Sequence, residues 1–251
     1  MHPPMDDETF ARLFSAQYAD FEEDLPLWLR LARQAGGPIL EIGCGAGRVL
    51  RALAVQGFDV TGIDTNPAML SRASDGLPEA LRRRVRLVEQ DVLALDLPER
   101  FRLILAPCNT LAGLADAELA RALARLRSHS LAKGKLAFEV PGPDSAIGEA
   151  DPDEPLSAYF DPASGNPVQV YAEQRADPAG RQVHVTWRYD ELLPDGGVRS
   201  WSLPTTFHLR RQREYASMLE VAGFGGAAFY GGYGLEPLGE GDLQMIVVAE
   251  A

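Results

Sequence analysis

The sequence lacks several features that define whole classes of protein. In its 251 residues, no apolar run approaches the ~20 residues that a membrane-spanning helix needs. The first ten residues, MHPPMDDETF, carry acids where a secretory signal has a basic start and an apolar core. Only two cysteines are present, Cys44 and Cys108, which give no disulfide framework and fit a reducing compartment. These absences predict a globular, cytoplasmic protein with no membrane partner.

Basic residues are fewer than acidic ones, 24 against 36, so the formal net charge is −12. A protein that binds nucleic acid needs a basic surface to neutralise phosphates, so the charge balance argues against DNA or RNA. One basic cluster exists, Arg82 to Arg84 with Arg86, and a solvated turn before a strand explains it better than a phosphate site. The sequence therefore favours a small-molecule partner.

What is present is an alternation of short apolar runs with helical patterns. Such alternation is typical of strand–helix units and a parallel sheet. The helical stretch after the first run puts Val49, Leu50, Leu53 and Ala54 on one face and ends near Gly57. The predicted strands are 38–43, 58–64, 84–90, 101–106 and 135–140.

The pattern changes at residue 141. A stretch rich in Pro, Gly and acids is followed by QVHVTWRYD, in which Val183, Val185, Trp187 and Tyr189 share one face of a strand. Turn sequences, DPAG and LPDGG, flank it. Residues 167–203 are therefore predicted to form a three-stranded antiparallel meander, inserted into the α/β pattern.

The α/β pattern resumes with a helical face that ends at Gly223, followed by predicted strands at 224–231 and 242–249. This organisation predicts a single α/β unit with an insertion. Its expected segments are an N-terminal helical cap (1–37), a cofactor-binding core (38–140), an inserted β lid (141–208) and the C-terminal part of the core (209–251).

The stretch ILEIGCGAGRVL combines a strand, a glycine loop and a helix start. Such a unit points backbone N–H groups and a helix N-terminus at a ligand. No Lys follows the glycines, so the loop is not a P-loop, and Gly43, Gly45 and Gly47 have the spacing G-x-G-x-G rather than the dinucleotide G-x-G-x-x-G. Glu41, just before the loop, favours a cationic nucleoside ligand over an anionic pyrophosphate.

Two further acids end the next two predicted strands. Asp64 is suited to accept hydrogen bonds from ribose hydroxyls, as an acid in an NAD site also would. Asp91, followed by the apolar Val92, is suited to bind an adenine amino group. Each acid alone also fits an ordinary loop or N-cap carboxylate. Acids at three successive strand ends favour a nucleoside site.

These motifs together resemble those of class I S-adenosylmethionine-dependent methyltransferases. The stretches are LEIGCGAGR, VTGIDTNPAML, VEQDVLALDL and LILAPCNTLAGL, and REYASMLEVAGF and MIVVAEA resemble the family's last helix and strands. The resemblance implies a Rossmann-like seven-stranded α/β sheet of order 3-2-1-4-5-7-6 whose last strand is antiparallel. It also implies S-adenosylmethionine as cofactor and S-adenosylhomocysteine as product.

The resemblance also assigns roles to residues at matching positions. The glycines would let the backbone approach the methionine end of the cofactor, Glu41 would orient its amino group, and Asp64 would take the ribose. The other expected cofactor contacts are Tyr18, Cys44, Thr65, Met69, Asp91, Val92, Pro107, Cys108 and Asn109. Both cysteines also fit simple packing roles. Tyr18 equally fits a packing residue on an amphipathic helix, and Arg48 fits either a carboxylate contact or a surface position.

Methyl transfer from a sulfonium demands alignment of the acceptor and, for a hydroxyl, usually a base or a metal. The stretch APCNT has no acid where the catechol-type Mg²⁺ enzymes of the family carry one, so no metal is expected. His208, where the insert rejoins the core, is the candidate base, with a structural histidine as its alternative. Candidate acceptor contacts are Tyr159, Tyr171, Trp201, Tyr230 and Tyr233.

The sequence therefore predicts an enzyme that methylates N or O of a small molecule. Amino-sugar N-methyltransferases resemble this plan, with an antiparallel sheet inserted after the fifth strand. The alternatives are an NAD(P)-linked oxidoreductase, which the loop spacing and third acid disfavour, and a non-catalytic cofactor-binding module. A homodimer through the insert is a further expectation.

Overall fold

The computed structural model describes residues 5–142, 154–177 and 181–251. The helices are Asp7–Gln17 (α1), Leu25–Ala35 (α2), Arg48–Val55 (α3), Pro67–Asp75 (α4), Asp116–Ser128 (α5) and Gln212–Ala222 (α6). The strands are Ile39–Ile42 (β1), Val60–Asp64 (β2), Val85–Glu89 (β3), Phe101–Ala106 (β4), Ser130–Pro141 (β5), Ser157–Phe160 (β6), Pro167–Asp177 (β7), Gln182–Leu192 (β8), Val198–His208 (β9), Gly225–Tyr230 (β10) and Gln244–Glu250 (β11).

The central sheet has seven strands in the order β10-β11-β5-β4-β1-β2-β3. Strands β1 to β5 run parallel to one another, and β11 is antiparallel to both β5 and β10. This is the predicted order, 3-2-1-4-5-7-6 with the last strand antiparallel, so the expected fold class is confirmed. The carboxyl ends of β1, β4 and β5 lie side by side at one edge.

Helices cover both faces of this sheet, because alternate strand residues point to opposite sides. On one face, Leu40 and Phe138 pack with Tyr215 and Leu219 of α6 and with apolar residues of α5. On the other face, Ile39 and Leu103 pack against apolar residues of α2 and α3. Residues at the carboxyl ends of β1 and β5 therefore lie above a fully packed core.

The insert forms a second, four-stranded antiparallel sheet of order β6-β7-β8-β9. The prediction of three strands within 167–203 is corrected here in two ways: β6 is an additional strand, and β9 continues to His208. The strand β6 has only four residues, too few for an alternating pattern to stand out in the sequence. The loop predicted from residue 141 and the DPAG turn lie largely outside the described residues.

The first helix connects the two sheets. Asp6 caps α1 by accepting a hydrogen bond from the Thr9 backbone N–H at 2.7 Å. The guanidinium of Arg12 on α1 forms an ion pair with Asp161 of the insert, and the Tyr159 hydroxyl donates to the Leu13 carbonyl at 2.8 Å. Within the described residues, no helix is long and apolar enough to cross a membrane.

Candidate functional site

The glycine loop leaves β1 in a conformation that requires its glycines. Gly43, Gly45 and Gly47 all have positive φ, at 65°, 50° and 79°. A Cβ on Gly43 would lie 2.6 Å from the Thr110 Cγ2 atom, so a side chain is excluded by contact as well as by backbone conformation. The loop ends at Gly47, the N-cap of α3, which offers no side-chain capping hydrogen bond.

A cavity of about 370 Å³, here called the loop cavity, lies against this turn. Its size is within the range of ordinary ligand sites. Seven predicted cofactor residues are in its wall: Tyr18, Glu41, Gly43, Cys44, Gly45, Pro107 and Cys108. Phe14, Ser15, Ala19, Ala46, Arg48, Val49, Arg51, Arg72 and Asp75 complete the wall. Half of the predicted cofactor contacts therefore lie together in the wall of one cavity.

Glu41 is the buried acid of the loop cavity. It is only 3% exposed, and its Oε2 atom has no hydrogen-bond partner. Burial raises its pKa to about 8, although the Arg48 charge acts in the opposite direction. A buried carboxylate oxygen without a donor in the wall of a cavity fits a cationic N–H donor from a ligand.

Arg48 does not reach into solvent, as a surface helix residue would. Its two terminal nitrogens bind the Asp24 carboxylate at 2.5 and 2.7 Å, and Asp24 is fully buried. The Trp28 indole N–H also donates to Asp24, at 2.8 Å. The carboxylate contact considered for Arg48 is therefore present, but within the protein, and it ties the glycine-loop helix to α2.

Asp64 ends β2, and Asp91 follows the end of β3 by two residues; neither is in the wall of the loop cavity. Asp64 accepts hydrogen bonds from the backbone N–H groups of Gly45 at 2.8 Å and Asn66 at 2.9 Å, which fixes the glycine loop to β2. Asp91 accepts from the Leu93 N–H at 2.8 Å as an N-cap. The remaining predicted contacts on this side are Gly47, Thr65, Met69 and Val92, which lie outside the cavity wall.

A second cavity, of about 460 Å³, adjoins the first. It is here called the aromatic cavity, because most of its wall consists of aromatic rings. It shares Phe14, Tyr18 and Cys108 with the loop cavity. The other residues are Phe10, Gln17, Phe21, Asn109, Glu139, Trp187, Tyr189, Leu203, Thr205, Phe207 and Tyr233. The wall thus combines α1, the end of β4, the end of β5 and the inserted sheet.

Glu139 is the acid of the aromatic cavity and was missed by the sequence prediction. It is 6% exposed and lies near the carboxyl end of β5. Its Oε1 atom accepts from the Tyr233 hydroxyl at 2.9 Å, and its Oε2 atom accepts from the Cys108 N–H at 3.2 Å. Burial raises its pKa, while both hydrogen bonds act in the opposite direction.

The residues that follow β4 lie where the two cavities adjoin, since Cys108 lines both of them and Asn109 lines the aromatic cavity. Cys108 and Asn109 have φ of 53° and 58°, a left-handed conformation that is uncommon for non-glycine residues and recurs at functional sites. Burial raises the pKa of the Cys44 thiol, so that thiol stays protonated near neutral pH, whereas Cys108 is exposed.

The candidate acceptor residues divide into one that lines the aromatic cavity and four that do not. Tyr233 is in the wall. Tyr171 and Gln169 share the face of β7 that points away from the aromatic cavity, and the Tyr171 hydroxyl donates to the Gln169 side chain there. The Tyr171 ring lies under the Arg188 guanidinium. Tyr159 and Trp201 pack around Leu13, and Tyr230 packs against the core below the sheet edge. The structure thus brings Tyr233 alone of this group to the cavity.

His208, the candidate base, lines a third and separate cavity of about 240 Å³ with Arg181, Gln182 and Arg210. Partial burial and the Arg210 charge lower its pKa. It is in the wall of neither the loop cavity nor the aromatic cavity. The base role stays a prediction that this placement does not favour.

Comparison with known proteins begins with a family model described as a methyltransferase domain, which matches residues 39–134. A ubiquinone biosynthesis O-methyltransferase of Pseudomonas putida (strain GB-1) is 35% identical over 74 residues. That stretch is 29% of this chain and 32% of the relative, so the chain matches about a third of the length of this curated relative. One from Stutzerimonas stutzeri (strain A1501) is 38% identical over 71 residues, 28% of this chain and 31% of that protein.

Solved structures resemble the whole chain. An S-adenosylmethionine-dependent methyltransferase from Clostridium acetobutylicum has a TM-score of 0.76 at 14% identity, over 96% of this chain and 97% of that one. The S-adenosylmethionine-bound amino pentose methyltransferase CalS10 from Micromonospora echinaspora has a TM-score of 0.73 at 21% identity, over 100% and 99%. At these identities the likeness shows the fold. Residues 39–134 thus match a methyltransferase domain, and the chain has the fold of S-adenosylmethionine-dependent methyltransferases.

Proposed function

We propose that this chain is a class I methyltransferase that transfers a methyl group from S-adenosylmethionine to a nitrogen or oxygen of a small molecule bound in the aromatic cavity. The observation that carries the proposal is that Phe14, Tyr18 and Cys108 line both the loop cavity and the aromatic cavity, so the two cavities adjoin at these residues. Two ligands that fill adjoining cavities meet at their common wall, as a direct group transfer requires.

The residues of the loop cavity fit the family's cofactor. Its amino group matches the unpartnered Glu41 oxygen, and the positive φ values of Gly43 and Gly45 leave room for close backbone approach. Asp64 keeps acceptor capacity beside its two backbone bonds and would bind the ribose hydroxyls. Asp91 and Val92 remain the proposed adenine contacts, and Thr65 and Met69 the proposed adenosine contacts.

When bound, the cofactor supplies a methyl carbon that its sulfonium charge has already activated. The protein then has to orient the acceptor atom in line with that carbon and keep water out. Phe14 and Tyr18 cover the junction, and Tyr18 stays a neutral phenol because burial raises its pKa to about 12. Cys108 and Asn109, held in the left-handed conformation, would face the reacting atoms from the opposite side.

The comparisons agree with a small acceptor without naming it. Relatives of this chain include a protein described as an O-methyltransferase of ubiquinone biosynthesis and one described as an amino pentose methyltransferase. Both act on small molecules by those descriptions. A cytoplasmic location, the segment boundaries 1–37, 38–140, 141–208 and 209–251, and a homodimer through the insert stay predictions.

The test is calorimetric titration with S-adenosylhomocysteine, followed by labelled methyl transfer to panels of small amines, alcohols and phenols. We expect tight S-adenosylhomocysteine binding, no NADH binding and a labelled small-molecule product. Glu41→Gln should weaken that binding about 10- to 100-fold, since it removes one charge-assisted hydrogen bond. Glu220→Gln, the same change at an exposed position on α6, should leave binding unaltered. Binding without any turnover would favour a non-catalytic module instead.

A further inference from the structure

Among the described residues, the wall of the aromatic cavity has a single charged side chain, that of Glu139. No other acid and no Lys, Arg or His is found in this wall within residues 5–142, 154–177 and 181–251. Eight of the other lining residues carry aromatic rings: Phe10, Phe14, Tyr18, Phe21, Trp187, Tyr189, Phe207 and Tyr233. Ring faces carry partial negative charge, so carboxylate and rings together make the cavity attractive to a cation.

Within the described residues, Glu139 has no cationic partner. No Lys, Arg or His of these residues forms an ion pair with it. The guanidinium of Arg48, whose charge acts on Glu139, is committed to Asp24. Buried carboxylates in proteins are normally paired with a cation, because burial of an isolated charge is costly. A buried acid that lacks its counter-ion inside a ligand-sized cavity implies that the ligand brings the charge.

We propose that the methyl acceptor is an amine, cationic in water, whose nitrogen binds the Glu139 carboxylate inside the cage of aromatic rings. This inference rests on the proposed function and names the acceptor class of the same site. A phenolate or carboxylate acceptor would instead meet the Glu139 charge and the negative ring faces. A neutral alcohol would leave the buried carboxylate unpaired.

The geometry around Glu139 suits it to hold a nitrogen at one place. The Tyr233 hydroxyl binds one oxygen and the Cys108 N–H binds the other, so the carboxylate plane is fixed from two sides. Each oxygen can accept one further hydrogen bond. Cys108 also belongs to the common wall of the two cavities, so the fixed carboxylate lies beside the junction where transfer would occur.

The same carboxylate can take the proton that the reaction must remove. An ammonium has no free electron pair, so it first passes one proton to Glu139, which burial predisposes to accept it. The freed nitrogen pair then forms the new N–CH₃ bond, while the electron pair of the broken C–S bond stays on the departing sulfur. The proton on Glu139 later passes to water, and the methylated amine leaves as a cation.

The experiment compares amine probes with neutral isosteres on the full-length protein saturated with S-adenosylhomocysteine. The pairs are benzylamine with benzyl alcohol and cyclohexylamine with cyclohexanol, measured by calorimetry, with labelled methyl transfer as a second readout. We expect each amine to bind at least tenfold more tightly than its alcohol. Glu139→Gln should remove that preference and leave S-adenosylhomocysteine affinity within twofold.

Glu220→Gln is the matched control and should retain the amine preference. Equal binding of amine and alcohol by the wild-type protein, or an unchanged preference in Glu139→Gln, would overturn the inference; the wild-type comparison decides even where the variant does not fold. Methylation of hydroxyl probes alone would refute the amine assignment but uphold the proposed function. Failure to bind S-adenosylhomocysteine would refute the proposed function itself.

Discussion

The loop cavity and the aromatic cavity are built around the same element, a buried glutamate at the carboxyl end of a parallel strand, but they treat it differently. Glu41 of β1 has one oxygen without any donor, whereas both oxygens of Glu139 on β5 have one donor each. Strand β4 lies between those strands. One sheet edge thus presents two carboxylates, one in each cavity.

The surroundings of the two acids differ in origin. Residues of the glycine loop, Gly43 to Ala46, line the loop cavity near Glu41. Aromatic side chains from α1 and the inserted sheet form the wall near Glu139. The comparison teaches that the loop cavity is formed mainly by the α/β core and its glycine loop, while the aromatic cavity is formed mainly by side chains on α1 and the insert.

The largest effect is expected at the ion pair of Arg48 in the wall of the loop cavity with the buried Asp24. Arg48→Ala leaves the fully buried Asp24 without its partner and should lower the free energy of unfolding by about 3–5 kcal/mol. Chemical denaturation measures this, and the exposed Arg33→Ala on α2 is the control, with a change of about 0.5 kcal/mol or less. A loss of S-adenosylhomocysteine binding with an unchanged free energy of unfolding would contradict a structural role for this ion pair.

A second prediction separates backbone conformation from contact at the glycine loop. Gly43→Ala should cost about 2–4 kcal/mol, since it combines a positive φ with a clash against Thr110. Gly57→Ala shares the positive φ but has open space around its Cβ, so about 1 kcal/mol is expected there. Equal losses in thermal denaturation would show that the close approach of Thr110 has no energetic weight.

A third prediction concerns pH and the loop cavity. The folded pKa of Glu41, about 8, lies above its unfolded value, so the folded protein binds more protons between them. The contribution of Glu41 protonation to the free energy of unfolding is therefore complete below pH ~4.5 and is lost as the pH rises towards ~8. The expected loss is about 2 kcal/mol, because water that enters the cavity relieves part of the burial penalty. Unfolding free energies at several pH values should decline less steeply in Glu41→Gln than in the wild-type protein. Parallel curves would refute it.

The smallest effect is expected from the hydroxyl that fixes Glu139. Tyr233→Phe removes a hydrogen bond to a charged group and should lower the unfolding free energy by about 1–2 kcal/mol without altering S-adenosylhomocysteine affinity. Tyr171→Phe is the matched control, because its hydroxyl bonds Gln169 on the outer face of the insert, and about 0.5 kcal/mol or less is expected. A lower S-adenosylhomocysteine affinity in Tyr233→Phe would show that this hydroxyl also influences the loop cavity.

The same comparison explains what the sequence could and could not predict. The strand order was predicted from the resemblance to the methyltransferases and is confirmed, and the glycine loop was recognised from its local sequence. Seven of the predicted cofactor residues lie in the wall of one cavity. Glu139 was missed because it follows Phe138 inside an apolar strand, where an acid looks like a packing exception. Its role depends on Tyr233, 94 residues away, and no local pattern reports such a distance.

Period-two alternation could have corrected one acceptor assignment. Val168, Val170 and Ala172 of β7 are buried, so Tyr171 between them has to face the other side of the sheet. The alternation of β8 did indicate the correct face for Trp187 and Tyr189, both of which line the aromatic cavity. Tyr159 and Trp201 could not be placed this way, because their neighbours come from α1, distant in sequence.

The position of α1 has a practical consequence. Phe10 and Phe14 on this helix and Tyr18 at its end line the cavities, while Arg12 clasps the insert. Helix α1 is therefore part of the wall of both cavities as well as a link to the insert. A version of the protein trimmed to begin at residue 21 would keep every described strand of both sheets and still leave each cavity open to water on one side.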